Sequence, residues 1–306
     1  MTVLLTYRHA KVQRLRRLIG RRSAREAERA FVVEGATLLG EAVRAGAPIE
    51  SVYVAARGAR APERSSAVTA AWEAGARVYD LEPGVVERVA GTVTPQPVLA
   101  VVAMGATTVE ALSGPRPVVV CIDVRDPGNL GSVLRSAEAA GAAGVVCCDG
   151  TVDVFNPKCV RASAGAVFHI PIVAGGEVVS VLEALGRGGW SRLATAPTRG
   201  IAYSDADLAG SVAFILGNEA NGLPDGLESA LDGIVHVPME GRSESLNVGM
   251  AAAVLCFEAA RQRRVMIAGR STLRSAAGGA SGVTAGGGSG VTLGCASGVG
   301  AGADRD

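Results

Sequence analysis

The sequence predicts an α/β protein built as two successive domains, and three observations carry that expectation. At 306 residues the chain has the length of about two ordinary domains, with ample material for a buried core. From Phe31 onward, short apolar runs alternate with stretches of helical period, the pattern of strands joined through helices. A segment rich in Gly, Pro, Ser and Thr, Gly105–Pro117, then separates two such series. The expected organisation is a small α/β domain over 1–104, a linker over 105–117, a larger domain over 118–268 and a tail over 269–306.

The first element is basic. Val12, Leu15, Leu18 and Ile19 fall three or four apart and mark one face of a helix across Lys11–Arg25. Residues 1–29 hold nine Lys or Arg against Glu26 and Glu28, whereas the net charge of the whole chain is only +1. A solvated surface helix is the plain reading of such a run. The excess is more than solubility requires, however, and clustered cations neutralise a nucleic-acid backbone with release of counterions, which favours nucleic acid as partner. Next come a strand at Phe31–Gly35, a helix at Thr37–Ala45, a strand at Ile49–Val54, a helix at Ser66–Ala74, and strands at Arg77–Leu81 and Val98–Ala103.

The second series opens with the buried strand Val118–Asp123 and a helix beginning near Asn129. Gly131 and Arg135 stand four apart on one face of that helix, and Gly131 leaves room for a ligand or another chain. After a strand at Gly144–Cys148, Asn156 caps a helix with Pro157 in its first position. Lys158, Arg161 and Ser163 there either face a phosphate or belong to a capped surface helix. The alternation continues through Ile170–Val173, Val178–Gly186 and Arg192–Ala196 to the apolar run Val212–Leu216, which enters Gly217–Pro224. The strand Ile234–Val237 enters Pro238–Asn247. Both loops leave the C-terminal ends of buried strands, where α/β sheets place ligands. Val248–Arg264 is an Ala-rich helix, and the Ser-, Gly- and Ala-rich residues after it have too little apolar surface to order themselves.

Several classes lose support. No apolar run nears the roughly 18 residues that span a bilayer, and the first residues lack a secretory pattern, so a cytoplasmic protein is expected. Six cysteines without a Cys-x-x-Cys pair and three scattered histidines argue against a metal site. Adjacent Cys147 and Cys148, inside an apolar run, read as small hydrophobes. Neither Gly-x-Gly-x-x-Gly nor a Gly-Lys-Ser/Thr loop is present, which takes most of the support from a nicotinamide or nucleoside-triphosphate enzyme.

Three segments stand in fixed order: Asn129-x-Gly-x-x-x-Arg135, Leu216-Gly-Asn-Glu219-x-x-Gly-Leu223, and Val237-Pro-Met-x-Gly-x-x-x-Ser245-Leu-Asn247-Val. Together they resemble the motifs of the SpoU/TrmH family of RNA ribose 2′-O-methyltransferases, in the SPOUT superfamily. Asn156-Pro-Lys158 with Arg161-Ala-Ser163 is similar to the family's intermediate segment. Phe31–Gly35 and Thr94–Ala100 look like its N-terminal substrate-binding domain. The resemblance implies a trefoil-knotted methyltransferase domain preceded by a small α/β RNA-substrate-binding domain, S-adenosylmethionine as methyl donor, and a homodimer acting on RNA, ribosomal RNA before transfer RNA. A non-catalytic RNA-binding or ribosome-assembly protein on the same scaffold is the alternative.

By motif match, Leu216, Gly217, Val237 and Leu246 fall at the family's cofactor contacts, and Asn129, Arg135, Glu219, Ser245 and Asn247 at its catalytic polar positions. Arg8, Lys11, Arg14, Arg17, Lys158 and Arg161 are the expected RNA contacts. The family's base assignment would fall on Arg135, yet a guanidinium is a poor proton acceptor. Arg135 is therefore expected to bind the target phosphate, with Glu219 either a base or a holder of Arg135 and Asn129. Gly249 departs from the Ser or Ala the family often carries.

Overall fold

A computed structural model describes residues 4–55, 65–91 and 93–278. The basic stretch forms two helices where one continuous helix is expected: α1 (Ala10–Gly20) and α2 (Arg22–Glu28), broken at Arg21, whose backbone is extended. Val12, Leu15 and Leu18 are buried, as their spacing requires. Then follow β1 (Ala30–Glu34), α3 (Ala36–Arg44), β2 (Ile49–Ala55), α4 (Ser66–Glu73), β3 (Arg77–Leu81), α5 (Val85–Val89) and β4 (Val98–Ala103). The strands make one sheet in the order β1-β4-β2-β3, antiparallel except for the β2–β3 pair.

Alternation along β1 divides that sheet's two faces. Ala30 and Val32 join Leu15, Leu18, Val85 and Val89 of α1 and α5. Phe31 and Val33 face the other way, toward α3 and α4 and onward into the second domain. The connection is not an open tether: Val109, in a short 3-10 turn, and Leu112 are buried beside Val118 and Leu185.

The second domain runs β5 (Val118–Cys121), α6 (Pro127–Ala139), β6 (Gly144–Cys147), α7 (Pro157–Ala162), β7 (Ile172–Ala174), α8 (Val178–Arg187), β8 (Ser191–Thr195), β9 (Ile201–Ala202), β10 (Val212–Leu216), β11 (Gly233–His236) and α9 (Val248–Gly278). All seven strands are parallel, in the order β7-β6-β5-β10-β8-β11-β9. Parallel strands covered on both faces read as unbroken apolar runs, which is why they are visible in the sequence. The helix expected over Val248–Arg264 is longer, and the tail beyond Gly278 lies outside the described residues. The compact unit that ends at Val265 holds both sheets.

A polar and aromatic seam joins the two sheets within that unit. Phe31 lies 4.9 Å from Phe155 and 6.0 Å from Phe168, centroid to centroid. Arg25 is 3% exposed, pairs with Asp153 and donates to the carbonyls of Leu18 and Ile19. Arg161 donates to buried Glu34 at 3.1 Å, and the His169 ring meets Glu41 at 3.0 Å. Two corrections follow. Ser163 does not face a phosphate: it is fully buried and donates to Val160 O. Arg161 is drawn into the seam.

Cys121, Cys147, Cys148, Cys159 and Cys256 are free and buried. Burial pushes the Cys147 and Cys148 thiols up to about 12, which keeps them protonated and leaves them packing residues. Among the described residues no helix is long and apolar enough to cross a membrane.

Candidate active site

The C-terminal ends of β8, β10 and β11 open into one cleft of about 620 Å³. Leu216, Gly217, Val237 and Leu246, the four expected cofactor contacts, all line it, together with Glu219 and Ser245. Val235, Val248, Ala251 and Leu255 give it an apolar side, and Asn218, His236 and Glu244 a polar one. Thr195 to Thr198, at the end of β8, supply a further side that motif reading does not reveal. That volume suits a ligand of nucleoside size, since small-molecule sites fall in the range of roughly 300–1,000 Å³.

The loop after β10 is folded onto itself. Asn218 Oδ1 accepts from the Ala220 and Asn221 amides, and the Asn218 and Gly222 backbones exchange two hydrogen bonds of 2.9 Å. A side-chain turn of this kind is what asparagine supplies. The room at Gly217 serves this fold: a Cβ there would stand 2.5 Å from the Gly222 carbonyl carbon and oxygen. The approach that the glycine permits is by its own chain, before any ligand.

Asn218 also spans to the β5–α6 connection, donating to Asp123 O at 2.8 Å and Asp123 Oδ2 at 3.2 Å. Asp123 adopts φ +54, a left-handed conformation that Asp and Asn accept more readily than most residues. Arg125 pairs with its other oxygen at 2.9 Å. Neither Asn218 nor Asp123 stands out in sequence as more than a turn former. A tie between positions 95 apart has no local signal.

Helix α6 starts two residues earlier than expected, and its cap is Asp126, whose Oδ1 accepts from the Asn129 amide at 2.9 Å. That bond, with a further backbone donor and nearby Lys158, holds the Asp126 carboxyl below its ordinary range. Asn129 thus lies inside the first turn. Its Nδ2 donates to Glu219 Oε1 at 2.8 Å, and its Oδ1 accepts from Asn247 Nδ2 at 2.9 Å. Asn247 Oδ1 in turn accepts from Gly249 N, capping α9. Three motifs therefore meet in one directed line of hydrogen bonds, Asn247 to Asn129 to Glu219. Asn247 is the cap of α9 and also a hydrogen-bond partner of Asn129.

Arg135 is not joined to that line. It is exposed on α6 and makes no hydrogen bond or ion pair among the described residues, so Glu219 holds Asn129 but not Arg135. Gly131 does not admit a foreign group either. A Cβ there would fall on Ala162, with Cys159 O at 2.8 Å, so the space belongs to α7. Gly249 has a similar cause: its Cβ would come 2.8 Å from Ser132 Cβ, at the contact of α9 with α6.

The expected RNA contacts divide. Arg14 is held by Glu28 at 2.5 Å and by two bonds to Glu50, and Arg17 lies 3.7 Å from Glu28. Lys11 sits over the Tyr79 ring at 4.7 Å, and Lys158 is 3.7 Å from Asp126. Arg8 is exposed.

S-adenosylmethionine can be tested against the cleft itself. Apolar walls suit its adenine and methyl-bearing sulfur, and the Gly217–Gly222 loop borders them with backbone groups. His236 lines the same cleft with Nδ1 buried and without a hydrogen-bond partner among the described residues, which leaves that nitrogen open to a polar ligand atom. The residues present fit the group.

Comparison with known proteins agrees with this geometry. The SpoU rRNA Methylase family matches residues 116–257, and the MRM3-like substrate binding domain matches residues 9–100. The chain is 35% identical over 227 residues to the 23S rRNA (guanosine(2553)-2'-O)-methyltransferase RlmP of Bacillus subtilis (strain 168), covering 74% of this chain and 87% of that protein. It is 32% identical over 275 residues to the 23S rRNA (uridine(2479)-2'-O)-methyltransferase of Streptomyces viridochromogenes, covering 87% and 94%. Among solved structures, the AdoMet-bound rRNA methyltransferase of Sinorhizobium meliloti superposes with a TM-score of 0.75 at 27% identity, over 85% of this chain and 97% of that one. With two such relatives matched over most of their length, the chain belongs to the SpoU rRNA methylase family.

Proposed function

We propose that the chain transfers the methyl group of S-adenosylmethionine to a ribose 2′-hydroxyl of ribosomal RNA. The observation that carries this reading is the line Asn247–Asn129–Glu219 ending at the edge of the apolar cleft. When bound, S-adenosylmethionine supplies a methyl group on a cationic sulfur whose charge disperses as transfer proceeds. Val235, Val237, Leu246 and Leu255 keep water from that centre, which favours dispersal over a localised charge.

Glu219 takes the hydroxyl proton in this reading. Asn129 occupies Oε1 and fixes the carboxylate, leaving Oε2 to accept. Arg135 has no acceptor atom and serves instead as a planar fork for the target phosphate. Arg135→Lys is expected to lower kcat/KM by about 100-fold through lost positioning, with cofactor affinity unchanged. Near-normal turnover of that variant would remove the positioning role.

The active unit is a homodimer. Met250, Val254 and Phe257 fall along one side of α9, with Met250 62% and Phe257 47% exposed, an apolar stripe suited to a second copy. Arg135, without a side-chain partner among the described residues, supports a site completed across that contact. The trefoil-knotted crossing belongs to the same reading, supported by the strand order in which β10 enters between β5 and β8. The site of action that follows is the cytoplasm.

The test is transfer of tritium from methyl-labelled S-adenosylmethionine to 23S rRNA from cells lacking the protein. Label should survive in alkali-resistant dinucleotides, because a 2′-O-methyl group blocks cleavage at that ribose. No transfer, or label confined to alkali-labile products, would overturn the assignment.

A further inference from the structure

The nine basic residues near the amino terminus do not act as one patch. Arg14, Arg22 and Arg25 are bound to Glu28 and Glu50, to Glu26, and to Asp153. Of the others, Arg16 reaches the ring of Tyr7, where Arg88 of α5 joins it. The Arg88 guanidinium lies 3.7 Å from the Tyr7 ring centroid, and the Arg16 guanidinium 4.9 Å from it. Gln13 fixes the group, donating Nε2 to Tyr7 O at 2.5 Å and accepting from Arg16 Nη1 at 3.0 Å.

Arg16 and Arg88 are exposed, and neither forms an ion pair among the described residues. Exposed Arg8 adjoins Tyr7 in the chain. Two guanidinium groups converging on one ring without a carboxylate repel each other, and a bound anion reverses that cost. Their orientation is set in advance, so little side-chain freedom is lost on binding. The guanidinium fork suits phosphate in particular.

The position of this face matters as much as its charge. Helices α1 and α5 cover the sheet face formed by Ala30, Val32 and Leu99, whereas the opposite face, through Phe31, meets the second domain. The Tyr7 group therefore lies across the small sheet from the seam. Both arginines fall within the matched substrate-binding segment, residues 9–100.

We infer that the Tyr7–Arg16–Arg88 face grips the phosphate backbone of an RNA segment remote from the methylated nucleotide, so that the protein reads a folded rRNA rather than a short strand. This inference rests on the methyltransferase reading above and deepens it. Of the expected RNA contacts, Arg14 and Arg161 are held by carboxylates instead, Arg14 by Glu28 and Glu50 and Arg161 by Glu34.

The experiment measures binding of an in vitro transcript of 23S rRNA across a salt series, for the wild type, R16Q/R88Q and R16K/R88K, with S-adenosylmethionine affinity as the check on folding. The glutamine pair should weaken binding and flatten the slope of log K against log salt by about 1.4, at roughly 0.7 per single-stranded phosphate contact. The lysine pair should retain that slope. In transfer assays the glutamine pair should raise KM for the transcript and leave kcat unchanged. Wild-type binding with an unaltered slope in the glutamine pair overturns this face alone. If the wild type binds no 23S transcript, the substrate reading falls and the face with it.

Discussion

Asn218→Asp is expected to weaken S-adenosylmethionine binding by about 30- to 150-fold, a loss of roughly 2–3 kcal/mol. The wild-type amide donates to both the carbonyl and the carboxylate of Asp123, while its oxygen holds two amides of the loop that walls the cleft. An aspartate keeps the acceptor and removes the donor. It then sets a carboxylate against Asp123 Oδ2, where the amide nitrogen stood 3.2 Å away. Asp123 is partly exposed and already paired with Arg125, so solvent and that cation screen the repulsion. Loss of the donor is the larger effect. Glu219 follows directly on the altered residue, so kcat should fall as well. Calorimetric titration with cofactor checks the affinity, and thermal melting checks that the core is intact. Unchanged cofactor affinity would show that the tie between the two connections does not shape the cleft.

Arg25→Ala should destabilise the protein by about 3–5 kcal/mol, because it removes one partner of a buried pair and leaves the other charge uncompensated. Arg25 is 3% exposed and Asp153 11%, so little water reaches either. The carbonyls of Leu18 and Ile19 lose their donor in the same change. Urea denaturation should show the loss as a lower midpoint at nearly constant slope. A double replacement, Arg25→Met with Asp153→Leu, should recover much of it, since an apolar pair of similar size avoids the desolvation cost. If Arg25→Ala costs less than about 1 kcal/mol, the range of an exposed pair, the seam does not depend on this residue.

Much of the scaffold is legible because its causes are local. The runs Val118–Cys121, Gly144–Cys147 and Val212–Leu216 are strands in the structure, each apolar throughout because a parallel sheet with helices on both faces leaves no side wet. Asn156 with Pro157 announces a helix start, and the start is there. Failures are also local in origin. The break at Arg21 interrupts a periodic pattern that continues on both sides, and α5 is too short for a period to register. At Asp126, two turn-forming residues before Asn129 hide the true cap.

The site divides along the same line. Order and identity of the three motif segments are properties of sequence, and they suffice for the family, the cofactor and the reaction class. Which hydrogen bonds those residues make is not, because the donor and acceptor of each lie far apart in the chain: Asn129 to Glu219 across 90 positions, Asn247 to Asn129 across 118. A side chain's charge is written in its residue type, whereas its availability depends on what folding brings within reach. Arg14 is neutralised by Glu50, 36 positions on, and Arg161 by Glu34, 127 positions back. Arg88 meets Arg16 over Tyr7 although nothing near it in sequence is basic enough to mark it. By itself, then, the sequence determined the long buried strands, the two loops that follow β10 and β11, and the family whose motifs those loops carry. Only the tertiary structure decided which cations are left without a carboxylate, which glycines make room for their own chain, and which amide holds Glu219, since Coulombic and hydrogen-bonding energies depend on distance in space.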